Sequence, residues 1–526
     1  MEKMLGALPV VADFSRRLKL REIIDAACPM REVSTVEVTH GQVIEALVAN
    51  RLTSPAPLLR VRDWAVVWAV PEVFGVAAPA LNDDRLGRAL DAIADHLDHI
   101  VGSVGAVAID AFGLDVTRMH WDMTSISLHG AYLGVEEGLP LPRFGHPKDR
   151  RPDLKQIQTG IAVSGDGGVP VFHRAFDGGA GEVSQVVPAM QALQKLAGPA
   201  RMLMIGDSKL VSYPNLAAMG KAKVTFIAPA SKNYVAVEVL AAQDLSDAVE
   251  VDYVTARDAG KPPTQRGTWH VREDVMSLAG PRKRDPVLTL RRVFVHSSAR
   301  AAAAVTARTK KLDRARDDLD RLVRGLGSRH YPDPAAVSAR AQAIGRDRRV
   351  ATYLRTTIGV DEGGKPTLTW SFDQETIDAE AASDGWYALL TNLHPDEADA
   401  AEVLRRYKGQ EAVERRYQAF KGPLAVAPLF LKNNRRIAAL ITVICLALLV
   451  FCLIEREVRR AIAPAEKLDD LHAGRPAKPT GRLIIEALDP LRLIPGHGHD
   501  PPLIPRPGPL QTRLLDLLNV DPLQLA

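Results

Sequence analysis

The sequence predicts an α/β protein, because strand and helix patterns alternate between residues 118 and 230. Two strand candidates flank Gly165 to Gly168 as a hairpin, and helix, strand, helix and strand patterns follow them. The chain has 526 residues, of which 46% are apolar and 25% charged, so it is long and apolar enough for several domain cores. This composition excludes a wholly disordered chain.

Net charge and cysteine content further limit the classes of protein to which the chain could belong. The chain carries 67 Lys and Arg against 63 Asp and Glu, and a net charge of +4 is too small to indicate a polyanionic partner by itself. Cys28, Cys445 and Cys452 are too few and too far apart for a disulfide framework or a four-thiolate zinc site. The short apolar run 5–12 is a poor secretory signal, so we expect a cytosolic protein.

Residues 1–112 show helical patterns. Apolar residues at helical spacing run from Pro9 to Ala27, and Thr39 is placed to cap a second helix. A third pattern covers 82–100. A packed helical bundle and a module that binds DNA ends or dimerises both fit this region, and the sequence does not separate them.

Residues 113–230 are predicted as the first part of the α/β core. We expect Ser184 to cap the first helix of this segment. The predicted strands are 119–128, 157–164, 169–175, 201–206 and 224–228, and the helices are 184–196 and 213–219.

Residues 231–380 are predicted as an insertion with strands followed by basic helices. The strand candidates are 250–255, 268–271, 287–296 and 367–372. Between residues 300 and 355, 14 Lys and Arg stand against 6 Asp, a local net charge of +8. A solvated helix face and a phosphate-binding surface both fit this run. Trp269 and Trp370 could stack on an extruded base, but we favour positions in the core.

Residues 381–465 are predicted as the second part of the core, with a strand at 386–391 and helices after 396. The uncharged run 437–454 meets the length rule for a membrane span. We favour a buried core helix, because we find no second run of this kind and no aromatic belt at its ends.

Residues 466–526 form a proline-rich tail. Nine prolines between 476 and 509 exclude long helices and central strands there, so we expect a wrapping or mobile segment. His497 and His499 lie within it, and we interpret them as surface residues because two histidines on such a loop are a weak metal signal.

Two aspartates are candidate functional residues because one lies within a predicted strand and the other directly follows one. Asp122 is in the middle of an otherwise apolar strand, where a carboxylate needs a cation or a hydrogen-bond network. Asp207 follows the strand that ends at Gly206, and α/β sheets bind their ligands at the carboxyl ends of strands. A helix-capping or turn aspartate is the alternative for Asp207.

A third carboxylate comes from the helix predicted over 407–421. Tyr407, Glu414 and Lys421 are spaced by seven residues and so share nearly one stripe. Glu414, together with the two aspartates, could hold two Mg²⁺ ions, for which Mn²⁺ can substitute, and such a pair stabilises a phosphodiester displacement. Lys421 and Tyr407 would then bind DNA phosphate. Glu411 is a rival ligand, although the spacing from Tyr407 favours Glu414.

With these residues in this order, the chain resembles bacterial insertion-sequence transposases of the DDE type, in the group whose last motif reads Tyr-x2-Arg-x3-Glu-x6-Lys. Gln410 stands where that motif has Arg, and Arg415 or Arg416 are the candidates to compensate as DNA contacts. The resemblance covers about residues 1–460 and implies an RNase H-like catalytic core. It also implies a mostly β insertion between the second Asp and the Glu, which here are 207 residues apart.

The resemblance implies an enzyme that binds the terminal inverted repeats of its own element, cuts there, and joins the freed 3′-hydroxyl to target DNA. It also implies a homodimer on DNA, in the bacterial cytosol with the nucleoid and without a membrane anchor. The alternatives are an RNase H-like nuclease, an inactive remnant that only binds DNA, and a membrane-tethered protein that uses 437–454 as its anchor.

Overall fold

The computed structural model describes residues 2–30, 38–132, 136–198, 201–424, 429, 431–496 and 501–523, and its fold is mixed α/β. The chain divides into two compact units. The first unit combines 1–225 with 408–526, and the second is the contiguous segment 226–407. The predicted insertion began at 231 and ended at 380. The second unit therefore starts earlier than predicted and also includes the strand 386–391, which was predicted to belong to the core.

The N-terminal part of the first unit is mainly helical. The predicted helix from Pro9 to Ala27 is two helices, because Lys19 between them has a left-handed backbone with φ 52°. Thr39 caps the third helix as predicted, and Gln42 completes a capping box with it. The elements are β1 (Lys3–Met4), α1 (Leu8–Arg17), α2 (Leu20–Ala27), α3 (His40–Thr53), α4 (Val61–Val67), α5 (Val70–Phe74), α6 (Asp83–Ile93) and α7 (Leu97–Phe112).

A sheet follows these helices. Its elements are β2 (Arg118–Leu128), β3 (Lys155–Ser164), β4 (Pro170–Phe176), α8 (Glu182–Ala197), β5 (Leu203–Ile205) and α9 (Tyr213–Lys221). Within the first unit the strand order is β4-β3-β2-β5; β3 pairs antiparallel with both β2 and β4, and β5 runs parallel to β2. The predicted hairpin of β3 and β4 is therefore confirmed. The predicted cap of α8 is wrong, because α8 begins after Gly181 and the Ser184 hydroxyl donates to the Gly181 carbonyl.

Gly160 on β3 makes room for the buried indole of Trp121 on β2. A Cβ atom at position 160 would lie 2.2 Å from the Trp121 ring, which is 4% exposed. We expect Gly160→Ala to destabilise the protein by about 1–3 kcal/mol, because the ring has no free space to enter. Urea unfolding measures this change in the free energy of unfolding. Gly102→Ala is the control, since its Cβ would meet open space, and we expect it to be neutral or stabilising by up to about 1 kcal/mol.

The second unit contains its own strands and helices. Its strand order is β6-β12-β9-β8-β7, and β10 with β11 forms a separate antiparallel hairpin. The elements are β6 (Thr225–Pro229), α10 (Val237–Ala241), β7 (Val249–Glu250), β8 (Trp269–Leu278), β9 (Leu288–Ser297), α11 (Ser298–Arg324), α12 (Pro334–Asp347), β10 (Leu354–Val360), β11 (Pro366–Phe372), α13 (Gln374–Ala381), β12 (Trp386–Thr391) and α14 (Ala400–Lys408). Trp269 is buried, as favoured, and Trp370 packs partly buried against the core of α11 and α12.

Ion pairs inside the second unit account for part of its basic segment. Arg308 pairs with Asp384, for example, and Arg348 pairs with Asp318. Six of the 14 cations between 300 and 355 have such partners: Arg308, Lys311, Arg316, Arg321, Arg348 and Arg355. Phosphate binding stays a prediction for the exposed remainder, such as Lys310 and Arg314.

The C-terminal part of the chain returns to the first unit. It contains α15 (Glu411–Lys421), α16 (Asn434–Ala461), β13 (Leu468–His472), β14 (Arg475–Ala477), α17 (Gly481–Leu488), β15 (Arg492–Leu493) and α18 (Pro509–Leu518). Both α17 and α18 pack against α16, and β15 pairs antiparallel with β1. Of the two alternatives for the proline-rich tail, the described part wraps onto the unit. His497 and His499 lie outside the described residues.

The apolar helix α16 lies at the centre of the first unit. It contacts α1, α3, α6, α7, α15 and β4. Among the described residues, two helical stretches are long and apolar enough to cross a membrane, Asp83–Phe112 and Asn434–Ala461. Only Asn434–Ala461 contains a run that was predicted from the sequence as a possible membrane span. The apolar window of Asn434–Ala461 is 100% buried in the protein, which supports the favoured interpretation as a core helix.

Candidate active site around Asp122 and Asp207

The strand register places the two predicted aspartates beside each other. In the parallel pair of β2 and β5, His120 lies opposite Ile205. Asp122 and Asp207 lie two residues further along each chain, just past the end of the paired segment at Ile205, and the charge of Asp207 acts on the Asp122 carboxyl, so the two carboxylates are neighbours. The backbone agrees, because a Cβ on Gly206 would lie 3.4 Å from the Trp121 carbonyl oxygen.

The surroundings of Asp122 make its negative charge costly. Burial raises the pKa of this carboxyl to about 6, the charge of Lys148 acts in the opposite direction, and the charge of Asp207 raises the pKa further. Oδ1 of Asp122 accepts from the backbone N–H of Met123 at 2.8 Å and from Lys148 Nζ at 3.4 Å. Asp207 also caps a short turn, since its Oδ1 accepts from the Lys209 backbone N–H at 2.9 Å. The alternative role of Asp207 in a turn is thus observed together with its proximity to Asp122.

Helix α15 packs across β2 at this point. The Tyr417 hydroxyl lies 2.6 Å from the Asp122 carbonyl oxygen and 3.1 Å from that of Thr159 on β3. Full burial raises the pKa of Tyr417 well above its usual value, and the charge of Asp122 adds to this. The hydroxyl therefore keeps its proton and serves as a donor that fixes the helix to the strand.

Gln410 makes the second contact between this helix region and β2. Its Nε2 donates to the Trp121 carbonyl at 3.1 Å, and its Oε1 lies 3.2 Å from Nδ1 of His120. Because the amide oxygen can only accept, Nδ1 of His120 carries the proton. Burial lowers the pKa of His120 to about 4, so the ring is neutral near pH 7. An arginine at position 410 has donors alone, so it could contact both partners only if His120 took the other tautomer, in which Nδ1 accepts.

Glu414 lies between these two contacts on the helix. At 3.6 residues per turn, Gln410, Glu414, Tyr417 and Lys421 fall within about 60° of one another, whereas Glu411 is displaced by about 100° from Gln410. The Glu414 side chain is exposed on the stripe that faces β2. Helix geometry therefore favours Glu414 over Glu411 as the third carboxylate.

The donor set matches the chemistry of a hard divalent cation. Asp122 and Asp207 offer carboxylate oxygens near enough for their charges to repel, and such an ion would relieve this repulsion. Across the described ranges of the chain, however, no three His, Cys, Asp or Glu side chains come together closely enough to hold one metal ion. The three-carboxylate metal site therefore stays a prediction.

The chain is similar to one protein-family model and to a solved structure. Residues 1–100 match the family model of a domain of unknown function, DUF4277. That match covers the N-terminal helices alone. No curated protein matches the chain. Among solved structures, the chain is similar to a piggyBac transposase in a synaptic complex with hairpin DNA, at 8% identity and a TM-score of 0.38, over 93% of this chain and 82% of that one. A likeness of this size carries no argument about fold or function.

The predicted DNA contacts occupy different environments. Arg416 is 5% exposed, donates to the carbonyls of Gly167 and Gly168, and pairs with Glu455 at 3.1 Å. It holds α15 to the β3–β4 turn and to α16, and this removes it as a phosphate contact. Arg415 beside it is exposed and keeps that candidate role.

The two remaining predicted contacts are Lys421 and Tyr407. Partial burial lowers the pKa of Lys421, while the charges of Asp149 and Asp122 oppose this effect. Lys421 is therefore near the predicted site. Tyr407 belongs to the second unit, in α14, and this helix ends at Lys408 before α15 begins at Glu411. The continuous helix predicted over 407–421 is wrong, and Tyr407 does not share a helix with Glu414.

Two residues of the site were missed by sequence reasoning. Lys148 reaches Asp122 from the loop between β2 and β3, and Glu182, the first residue of α8, lies 3.8 Å from Lys148 Nζ. The sequence around Lys148 shows several charges among prolines and glycines, which is typical of a loop. Nothing in such a pattern indicates that one ammonium group folds back onto a buried strand.

Proposed function

We propose that the chain is a DDE-type DNA transposase that cuts at the ends of its own element and transfers the 3′ ends to target DNA. The observation that supports the proposal is the parallel pairing of β2 with β5, which ends two residues before Asp122 and Asp207, together with the contact of Tyr417, on the helix that bears Glu414, with the Asp122 carbonyl. The residue order Asp, Asp, Glu and the motif around Glu414 support the same reading. DNA ends, target DNA and a second copy of the chain are the proposed partners.

In this proposal Asp122, Asp207 and Glu414 would hold two Mg²⁺ ions, and these would supply charge stabilisation for the oxygens that attack and leave. Water attacks the phosphorus of the scissile diester, the bond to the 3′-oxygen breaks, and that oxygen leaves as the 3′-hydroxyl. The 3′-hydroxyl then loses its proton and attacks the phosphorus of a target phosphodiester, the bond from that phosphorus to the target 3′-oxygen breaks, and this oxygen takes up a proton and leaves as a hydroxyl. The protein residues position these groups: Lys421 and Arg415 hold the DNA backbone, and Tyr417 and Gln410 fix the Glu414 helix against β2.

A cutting assay tests the proposal. Labelled duplexes made from the DNA that flanks the coding region are incubated with the full chain and Mg²⁺, and a duplex of shuffled sequence is the control. We expect Mg²⁺-dependent nicks at the border of an inverted repeat. Cutting of both duplexes at equal rates would indicate a general RNase H-like nuclease, and DNA binding without any cutting would indicate an inactive remnant.

Metal affinity should depend on pH through Asp122. The pKa of this carboxyl is raised to about 6 in the folded protein, so protons compete with the metal below that value and affinity falls as the pH decreases. The stability of the metal-free protein should depend on pH in the opposite direction to its metal affinity. A raised carboxyl pKa favours folding at low pH, so the metal-free protein loses stability as the pH rises from about 4 through about 6.

Mn²⁺ titrations and urea unfolding over this pH range check both expectations. For urea unfolding, the Asp122→Asn variant is the control, because it has no carboxyl to titrate at this position. If the wild-type protein and Asp122→Asn show the same dependence of stability on pH, the assignment of the effect to Asp122 is wrong.

A further inference from the structure

The ammonium group of Lys148 occupies the space beside Asp122. Its Nζ lies 3.4 Å from Oδ1 of Asp122 and 3.8 Å from Oε1 of Glu182, and it donates to the Met123 carbonyl. The ammonium group therefore donates to one carboxylate and one carbonyl oxygen, and the Glu182 carboxylate is a more distant ion-pair partner. Lys148 thus supplies a positive charge at the carboxylate where the proposed function requires a metal ion.

The loop that carries Lys148 is fastened to the same strand. The Lys148 backbone N–H donates to the Ser125 hydroxyl at 2.9 Å, and the Ser127 hydroxyl donates to Asp149 at 2.5 Å. The Arg150 N–H closes a turn on the Pro147 carbonyl at 3.1 Å. These bonds hold the backbone of Lys148 on β2, so the side chain reaches Asp122 from a fixed base.

We propose that Lys148 is an internal counter-cation, which a divalent metal must displace from Asp122, and that the Glu182 carboxylate is a second anion whose charge holds this ammonium group in place. The proposal rests on the proposed function insofar as it places the metal at Asp122. The physical reason is that the metal ion and the ammonium group would compete for the same carboxylate oxygen. Two cations repel each other at this distance, and Asp122 Oδ1 is an acceptor for the ammonium group and the candidate ligand for the metal.

The charges around the site agree with this role. Asp122, Asp207 and Glu182 are three carboxylates, and only Asp122 among them is placed deep in a strand. Lys148 lies between Asp122 and Glu182, which differ by 60 residues in sequence and come from different elements.

Mn²⁺ binding in the absence of DNA tests the proposal, with free Mn²⁺ measured by electron paramagnetic resonance. We expect Lys148→Met to bind Mn²⁺ on the order of tenfold more tightly than the wild-type protein. Lys148→Arg keeps the charge and should bind as weakly as the wild type. Lys195→Met, on the exposed side of α8, is the matched control and should change nothing.

Glu182→Gln is then combined with Lys148→Met. If Glu182 acts only by holding the ammonium group, Glu182→Gln alters Mn²⁺ affinity in the wild-type background and has no effect in the Lys148→Met background. A loss of affinity in both backgrounds would show that Glu182 is itself a metal ligand, and this part of the proposal would be wrong.

The same measurements distinguish failure of the counter-cation role of Lys148 from failure of the metal site at Asp122. If Lys148→Met leaves Mn²⁺ affinity unchanged or lowers it while Asp122→Asn abolishes binding, the metal site stands and the counter-cation role is refuted. If Asp122→Asn does not alter Mn²⁺ binding in any background, the metal site of the proposed function is refuted. Circular dichroism of each metal-free variant confirms that the fold is kept.

Discussion

Asp122→Asn should abolish Mg²⁺-dependent DNA cutting without weakening the metal-free protein. The loss of one metal ligand removes several kcal/mol of charge stabilisation, so we expect the cutting rate to fall by on the order of 10³-fold. The amide has the shape of the carboxylate but carries no charge, and it is the burial of that charge that is unfavourable and raises the pKa of Asp122 to about 6. The urea midpoint should therefore stay at or above that of the wild type.

The control for this variant is Asp110→Asn, on the exposed surface of α7. It should cut at the wild-type rate. Cutting by Asp122→Asn at the wild-type rate would show that the assigned ligand is wrong, whereas a strongly lowered urea midpoint would show that Asp122 stabilises the fold through Lys148 more than its burial costs.

Arg416→Met should be among the most destabilising single changes in the first unit. The variant leaves Glu455 buried without one of its cations and leaves the carbonyls of Gly167 and Gly168 without their donor. We expect a loss of about 3 kcal/mol in the free energy of unfolding, at the low end for a broken buried pair because Arg459 still pairs with Glu455 at 2.7 Å.

Arg415→Met is the matched comparison, since the two arginines are adjacent on α15. Its stability should stay within about 0.5 kcal/mol of the wild type, because Arg415 is exposed. Its DNA affinity should fall, and the slope of log affinity against log salt should decrease by about 1. Equal stability of the two variants would refute the structural role of Arg416. Unchanged DNA binding by Arg415→Met would refute the phosphate contact.

Local patterns predicted most strands and several helix ends correctly. The alternation around Asp122 predicted β2, and the position of Thr39 before an apolar helical pattern predicted its cap. Both features depend on neighbours in sequence, since side-chain alternation and capping act over a few residues. The interpretation of 437–454 as a core helix also agrees with the structure, because its apolar surface is covered on all sides.

The sequence could not predict features that depend on tertiary packing. The break between Lys408 and Glu411 has no proline, and the glycine at 409 alone does not show where a helix ends. Arg415 and Arg416 look alike in sequence, and only the position of the β3–β4 turn and Glu455 decides which one is buried. The proximity of Lys148 to Asp122 depends on how a loop folds back, for which no local signal exists.

The central position of α16 has a consequence for how the chain is made. The helices α1, α3 and α6 pack against a segment that is synthesised more than 330 residues after them. During translation their apolar faces therefore remain without the partner that covers them, until Asn434–Ala461 has left the ribosome. Nascent chains that stop before this point should need chaperones to avoid aggregation.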